Sequence, residues 1–488
     1  MSQVPSLFAP ILHQSRMNPD AIAVVADTST STYAEFCSHI ERVTRHLNAL
    51  AIPMGSRVAV QVASQYFGWL LVISLSRLGL PSATAPARDM DCIAPDLVLT
   101  DAPEAWPGRS ILAVTPDWIR EPADHLPAFA DRFHEGASHA RLVLSSGTTG
   151  RPKVVVLTYE QLHRRNKQQI GDYGFTSASR LLITLGGIAG LMLPVNCWSA
   201  GGCVIVRAFA KGVSPARLLR TKPNIVMLSP SQLETILAGL GPDFVPVPDM
   251  RVYVAGSAMT RNLNMRARLR LTSSLFLCYG STEIGTIALA PAAHADARPG
   301  FAGYVVPPVQ VQIVDEAGRP VPNGTPGEIR IRAEGQAECY LDDPQATASC
   351  FREGWFHPGD LGAIGDRNDL RLVGRASEVM NFGGAKRAPE ALEEVLRGVA
   401  HVLDIAVFSF MTPQGEKPGV AIVPAEGFSN EELMRRYAEA FPNLPAPSVF
   451  PVGTIPRNDM GKVMRAELAA SLAAAPHGGA APVKSALH

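Results

Sequence analysis

The chain has no excess of either charge: Lys+Arg and Asp+Glu both number 44 in 488 residues. Without a net field, neither a nucleic-acid backbone nor an anionic membrane surface is favoured as a partner. Paired cysteines are also missing. The seven (Cys37, Cys92, Cys197, Cys203, Cys278, Cys339, Cys350) are odd in number and scattered, with no C-x-x-C spacing. That argues against a disulfide framework and a zinc site, and for a reducing compartment. The 12 histidines show no metal-ligand spacing such as H-E-x-x-H. Long apolar runs are scarce. The most apolar, YFGWLLVISLSRLGL (66–80), is cut by Ser74, Ser76 and Arg77, is too short to span a bilayer, and reads as a buried helix. The first twenty residues lack a basic stretch followed by an apolar core, so no secretory signal is expected and the cytoplasm is the expected location. No internal repeat is visible.

What is present is the composition of a globular protein, 47% hydrophobic and 18% charged, long enough for two to four domains. Up to about residue 300, helical patterns alternate with short apolar runs such as AIAVVA, SRVAVQV, GGCVIVRAF, PNIVMLSP and MRVYVAGSA, the rhythm of an α/β fold with parallel sheet. From about 300 to 373, short strands are split by Gly, Asp and Pro turns, as in a small β-barrel or sandwich. After Arg375 come a helix (APEALEEVLRGVA), strands (IAVFSF, GVAIVP) and a helix (NEELMRRYAEAF), enough for a small α+β domain. The expected division is 1–376 for a large domain, 377–470 for a small one, and 471–488, rich in Ala, Gly and Pro, for a disordered tail.

The stretch SSGTTGRPKVV (145–155) has the chemistry of a phosphate-holding loop. Gly147 and Gly150 let the backbone turn and aim N–H groups at one point, Ser145, Ser146, Thr148 and Thr149 add donors, and Lys153 adds positive charge. It is not the P-loop of nucleotide triphosphatases. That pattern needs glycine where Pro152 stands and a hydroxyl where Val154 stands. The run RLVL before it is of strand type, and Thr158 after it is a plausible helix cap. An ordinary Ser/Gly/Thr turn is the plain alternative for this stretch taken alone.

Four further stretches carry chemistry. LCYGSTEIG (277–285) gathers Tyr279, Gly280, Ser281, Thr282 and Glu283 in what reads as one turn. GWFHPGDLG (354–362) sets Asp360 beside glycine, GRASEVMNFGG (374–384) offers Arg375 and the pair Gly383–Gly384, and PRNDMGKVMR (456–465) places Lys462 on a polar turn. Taken singly, Tyr279 is more often core, Asp360 a turn former and Lys462 a solvated charge. In this order and spacing, over about residues 20–470, the five stretches resemble the adenylate-forming (AMP-binding) superfamily, which includes acyl- and aryl-CoA synthetases.

The resemblance implies an ATP-dependent acid–thiol ligase, using Mg²⁺ and CoA. A carboxylate oxygen attacks the α-phosphorus of ATP, pyrophosphate leaves, and an acyl adenylate remains; a thiol then displaces AMP. Because two anions must meet, positive charge at the reacting centre is the main requirement. On this resemblance Lys462 is the catalytic lysine, Glu283 the Mg²⁺ ligand and Thr282 an α-phosphate contact. The loop 145–153 holds the outer phosphates. Tyr279 lies on one face of the adenine and Gly256, Ser257 and Ala258 on the other, while Asp360 and Arg375 hold the ribose. The C-terminal domain is expected to be mobile, turning between half-reactions, and Gly383 and Gly384 match the lining of a channel for the pantetheine thiol.

The chain departs from the family pattern at Leu277, usually polar, and at Met259, Ser377 and Arg387. The departures bear on adenine contacts and hinge behaviour rather than on reaction class. The segment LLITLGGIAGLMLPVNCWSA (181–200) has no acidic residue to pair with an α-ammonium, which disfavours α-amino acids. Gly186 and Gly187 stand where a gating aromatic or histidine is usual, leaving room for an apolar aryl or medium-chain acid. The acceptor thiol is expected on CoA, with an acyl carrier protein the close alternative and a non-catalytic homologue the more distant one.

Overall fold

Local sequence explains the elements that carry the candidate site. The structure, a computed structural model, describes residues 2–26, 29–131, 133–145, 152–206, 219–382, 385–412, 415–458 and 461–473. The strand Lys153–Thr158 ends where Thr158 caps the helix Tyr159–Tyr173. Thr158 Oγ1 accepts from Gln161 N, and the Gln161 side chain accepts from Thr158 N, satisfying two helix-end donors. The apolar stretch at 66–80 is indeed a buried helix, Gln65–Leu78, begun by Ser64 and closed by Gly79 at φ +76°. Its one charge, Arg77, is paired at 2.7 Å with Glu41 and 2.8 Å with Asp131. Among the described residues no helix is long and apolar enough to cross a membrane.

Contacts divide the chain into two units. The first holds Met1–Pro358 and Ala363–Arg371, the second Gly359–Gly362 and Leu372–His488. In the first unit one sheet runs, in spatial order, Lys153–Thr158, His139–Ser145, Ser82–Ala83, Val58–Gln61, Leu97–Thr100 and Ile111–Ala113. All neighbours are parallel except the outermost pair, whose hairpin spans the phosphate-loop stretch. Ala59, Ala83, Leu142, Val154 and Val156 form a core on it.

A second sheet has a parallel block in the order Ile22–Val25, Cys203–Ile205, Arg180–Ile183, Ile225–Leu228, Arg251–Val254 and Leu275–Ser281. Leu182, Val226, Leu228, Val252 and Val254 pack there against the helices Pro230–Ala238 and Arg261–Arg270 through Leu233, Ile236, Leu263 and Ala267. The β-rich stretch beyond 300 joins this sheet through the antiparallel strands Gly285–Pro291 and Phe301–Val305.

In the second unit the hairpin Val402–Thr412 and Gly415–Pro424 is joined by Ser448–Pro451. Residue alternation gives it two cores. Ile405, Val407, Val420 and Ile422 face Leu392, Leu396, Leu433 and Tyr437, whereas Ala406, Phe408 and Ala421 face Ile455 and Leu468.

Candidate active site

Parallel strands put their carboxyl ends on one edge, and in open α/β sheets that edge is where ligands bind. Three of the predicted stretches lie there. Gly186 and Gly187 follow Arg180–Ile183, Gly256, Ser257 and Ala258 follow Arg251–Val254, and Thr282 and Glu283 follow Leu275–Ser281. Gly256 takes φ +100°, which a side chain would resist. A Cβ added at Gly186 or Gly187 would meet no atom within 4 Å, so these positions border open space. The neighbouring Thr184 is held by Gln232, whose Oε1 accepts from Thr184 Oγ1 at 2.7 Å while its Nε2 donates to Thr184 O at 3.0 Å.

The stretch 277–285 is not one turn. Tyr279, Gly280 and Ser281 end the strand Leu275–Ser281, and only Thr282–Ile284 turn back into Gly285–Pro291. The sequence reading missed this because two glycines and two hydroxyls mask a strand whose pairing partner begins at Gly285. The hairpin is tight: a Cβ at Gly280 would run into the carbonyl oxygen of Gly285. Ser281 Oγ accepts from Ile284 N at 3.2 Å, closing the turn.

Glu283 is only 6% exposed. Its Oε1 accepts the Tyr340 hydroxyl at 2.9 Å, and its backbone oxygen accepts from Ala337 N at 2.7 Å. Burial, and then the Glu283 charge, push the Tyr340 hydroxyl pKa up, so it stays a donor. Beneath the turn lies Arg165, 2% exposed, which donates to Thr282 O at 2.9 Å, Gly335 O at 2.7 Å and Glu283 O. Burial lowers its pKa to about 10, still leaving it charged.

Sequence reading did not find Arg165 or Tyr340. A signal for the first exists: Leu162, Arg165, Gln169 and Tyr173 recur at helical spacing on the buried face of Tyr159–Tyr173, so polar groups hold apolar positions. Gln169 and Tyr173 bond to Thr286 Oγ1 at 3.2 and 2.8 Å, and Asn196 donates to Gln169 Oε1 at 2.9 Å.

Ser145 and Lys153 are register partners at the mouth of their hairpin, with Ser145 Oγ donating to Lys153 O at 3.3 Å. The Lys153 ammonium lies 4.9 Å from the centre of the Tyr340 ring and 3.7 Å from Cys350 Sγ. Ser146, Gly147, Thr148, Thr149 and Gly150 lie outside the described residues, as do Gly383 and Gly384.

In the second unit Asp360, 8% exposed, begins the strand Asp360–Ile364 rather than sitting within a turn, because Gly359 at φ +75° completes the bend before it. Arg375 Nε lies 2.8 Å from Asp360 Oδ1, so the two expected ribose ligands are an ion pair. Lys462 is half-buried on a closed turn: its N–H donates to Asn458 Oδ1 at 3.0 Å, and Asn458 N donates to Lys462 O at 2.9 Å. Gly461 takes φ +80° there. Three residues on, Arg465 is bound by Glu378, Glu390 and Glu393 at 2.6, 3.0 and 2.7 Å. The unusual Ser377 lies in the single turn Ala376–Glu378, and Arg387 pairs with Met380 in a short hairpin. Leu277 and Met259 both pack against the core of the second sheet, which accounts for apolar residues at these positions.

The family model described as AMP-binding enzyme matches residues 111–341. A feruloyl-CoA synthase of Amycolatopsis sp is 26% identical over 481 residues, spanning 94% of this chain and 97% of that protein. Residues 111–341 thus carry an AMP-binding enzyme domain. Among other AMP-binding relatives, a 4-coumarate–CoA ligase 2 of Solanum tuberosum is 31% identical over 68% of this chain and 65% of its own length. The fold matches that of ATP-bound MatB from Rhodopseudomonas palustris at a TM-score of 0.85 and 22% identity, covering 96% of this chain and 98% of the other. It also matches o-succinylbenzoate CoA synthetase of Bacillus subtilis with ATP and magnesium ion, at a TM-score of 0.84, 21% identity, and coverage of 96% and 100%.

Proposed function

We propose that this AMP-binding enzyme activates an apolar carboxylic acid, aryl in the first instance, with ATP and passes the acyl group to the thiol of CoA. The observation that carries the reading is the buried, doubly anchored Glu283 on the edge where three of the predicted stretches meet. Feruloyl-CoA synthase and 4-coumarate–CoA ligases as relatives favour an aryl acid and CoA over a carrier protein. The open space at Gly186 and Gly187, with no acidic residue in 181–200, suits an uncharged acyl body.

Glu283 fits a magnesium ion. It offers one hard carboxylate whose Oε1 is fixed by Tyr340 while Oε2 accepts no hydrogen bond among the described residues. Mg²⁺ is usually held by one or two carboxylates together with substrate phosphates and water, so a cluster of ligands is not required. When bound, the ion neutralises phosphate charge as pyrophosphate departs. The chain's own residues then do the rest. Thr282 and Lys153 hold phosphate oxygens, Tyr279 and the 256–258 backbone sandwich the adenine, and Asp360 and Arg375 hold the ribose. Lys462 stabilises the negative charge shared by the attacking carboxylate and the α-phosphate. The seven cysteines are all free, which supports a reducing compartment such as the cytoplasm.

The test is ATP–pyrophosphate exchange over hydroxycinnamic, benzoic, medium-chain and α-amino acids, followed by thioester detection with CoA. Exchange with aryl acids and a CoA thioester are the expected results. Strong exchange with α-amino acids would overturn the acid assignment, and adenylate without thioester would overturn the acceptor.

A further inference from the structure

We infer that Arg165 and Tyr340 are positioning residues that lock Glu283 in the one orientation able to hold a divalent cation. The inference rests on the reading of Glu283 as the metal ligand. Arg165 is a fully buried cation whose three hydrogen bonds all go to backbone carbonyls, those of Thr282, Glu283 and Gly335. Burying a charge that makes no direct ion pair is costly, so carbonyl dipoles aimed at the guanidinium, together with the nearby Glu283 charge, offset the lost hydration. Two of those dipoles belong to Thr282 and Glu283. The backbone of the turn therefore cannot rotate without stranding the charge.

The third carbonyl brings in a second element. Gly335 lies so close to the helix Tyr159–Tyr173 that a Cβ there would sit 2.8 Å from Arg165 Cγ and 3.2 Å from Gln161 O. From this anchored point the chain returns Ala337 N to Glu283 O at 2.7 Å and the Tyr340 hydroxyl to Glu283 Oε1 at 2.9 Å. The backbone of Glu283 is thus held from below by Arg165 and its carboxylate from the side by Tyr340. Oε2 is left as the oxygen that neither of them engages. Tyr340 also supports Lys153, whose ammonium lies over the same ring. One tyrosine thereby joins the carboxylate to a cation of the phosphate-loop hairpin.

A merely structural role would lower stability without touching cation affinity. Two variants of the full chain separate the cases. Tyr340→Phe keeps the ring and its packing on Phe351 but removes the hydroxyl. Arg165→Lys keeps the charge but cannot span three carbonyls. Mn²⁺ binding in the presence of a non-hydrolysable ATP analogue, read by electron paramagnetic resonance, should weaken by about tenfold or more in each. Analogue binding without metal should stay within about twofold, the margin expected of a residue that does not touch nucleotide. Wild-type Mn²⁺ affinity in folded Tyr340→Phe would overturn the inference, whether or not Arg165→Lys folds. Glu283→Gln is the control. If it leaves Mn²⁺ binding unchanged, the metal-ligand reading itself fails; if it weakens binding and the other two variants do not, only the positioning inference fails.

Discussion

Arg457 and Asp404 pair at 2.7 Å, and the same guanidinium donates to Gly461 O at 2.8 Å, the carbonyl immediately before Lys462. The strand Val402–Thr412 thus fixes the turn on which the proposed catalytic lysine stands. The pair is about one-third exposed on each side, so its effect on stability is small, within about 1 kcal/mol. Its effect on lysine placement should be larger. Asp404→Ala is expected to leave the melting temperature nearly unchanged and lower the exchange rate several-fold. Wild-type exchange in this variant would show that the turn holds itself.

Lys462→Ala should lower ATP–pyrophosphate exchange by about 10²–10³ with little change in folding, since one charge donor is lost where two anions meet. Thioester formation from a synthetic acyl adenylate should fall much less, because the acid is then already joined to AMP and no carboxylate has to approach a phosphate. The thiol attacks the acyl carbon and AMP leaves. Equal loss in both assays would refute the division of roles.

Gly186 is a clean probe of the acid pocket. A side chain there meets open space, and the position does not require a left-handed backbone, whereas Gly187 at φ +60° does. Gly186→Leu should therefore keep the melting temperature and raise KM for aryl acids more than for short acids. An unchanged ratio of kcat/KM between the two would place the acyl chain elsewhere.

Burial raises the Asp172 carboxyl from 3.8 to about 6, against a smaller lowering by its Gln168 hydrogen bond. The folded state therefore holds this proton more tightly than the unfolded chain. Its contribution to stability is complete below pH 3.8 and is lost as pH rises through about 6. Asp172→Asn should match the parent in acid and melt at a higher temperature near neutrality. A difference independent of pH would contradict the shift.

Local sequence was enough for the framework. Thr158 with Gln161, Ser64 with Gly79, and the alternation through Val402–Thr412 each act within a few residues, so their helix ends and strand faces are legible in the amino-acid order alone. The motif residues are legible too, because Tyr279, Thr282 and Glu283 lie side by side in the chain. Tertiary structure decided what holds them. Arg165 lies 118 residues from Glu283 and Tyr340 lies 57 away. No local pattern links such positions; only the sheet order and the close approach at Gly335 bring them together. Leu277 shows the same limit from the other side. As a motif position it reads as a lost polar contact, and only the packing of the second sheet makes it part of a core. Chain neighbours interact whatever the fold, whereas distant side chains meet only where the backbone topology places them.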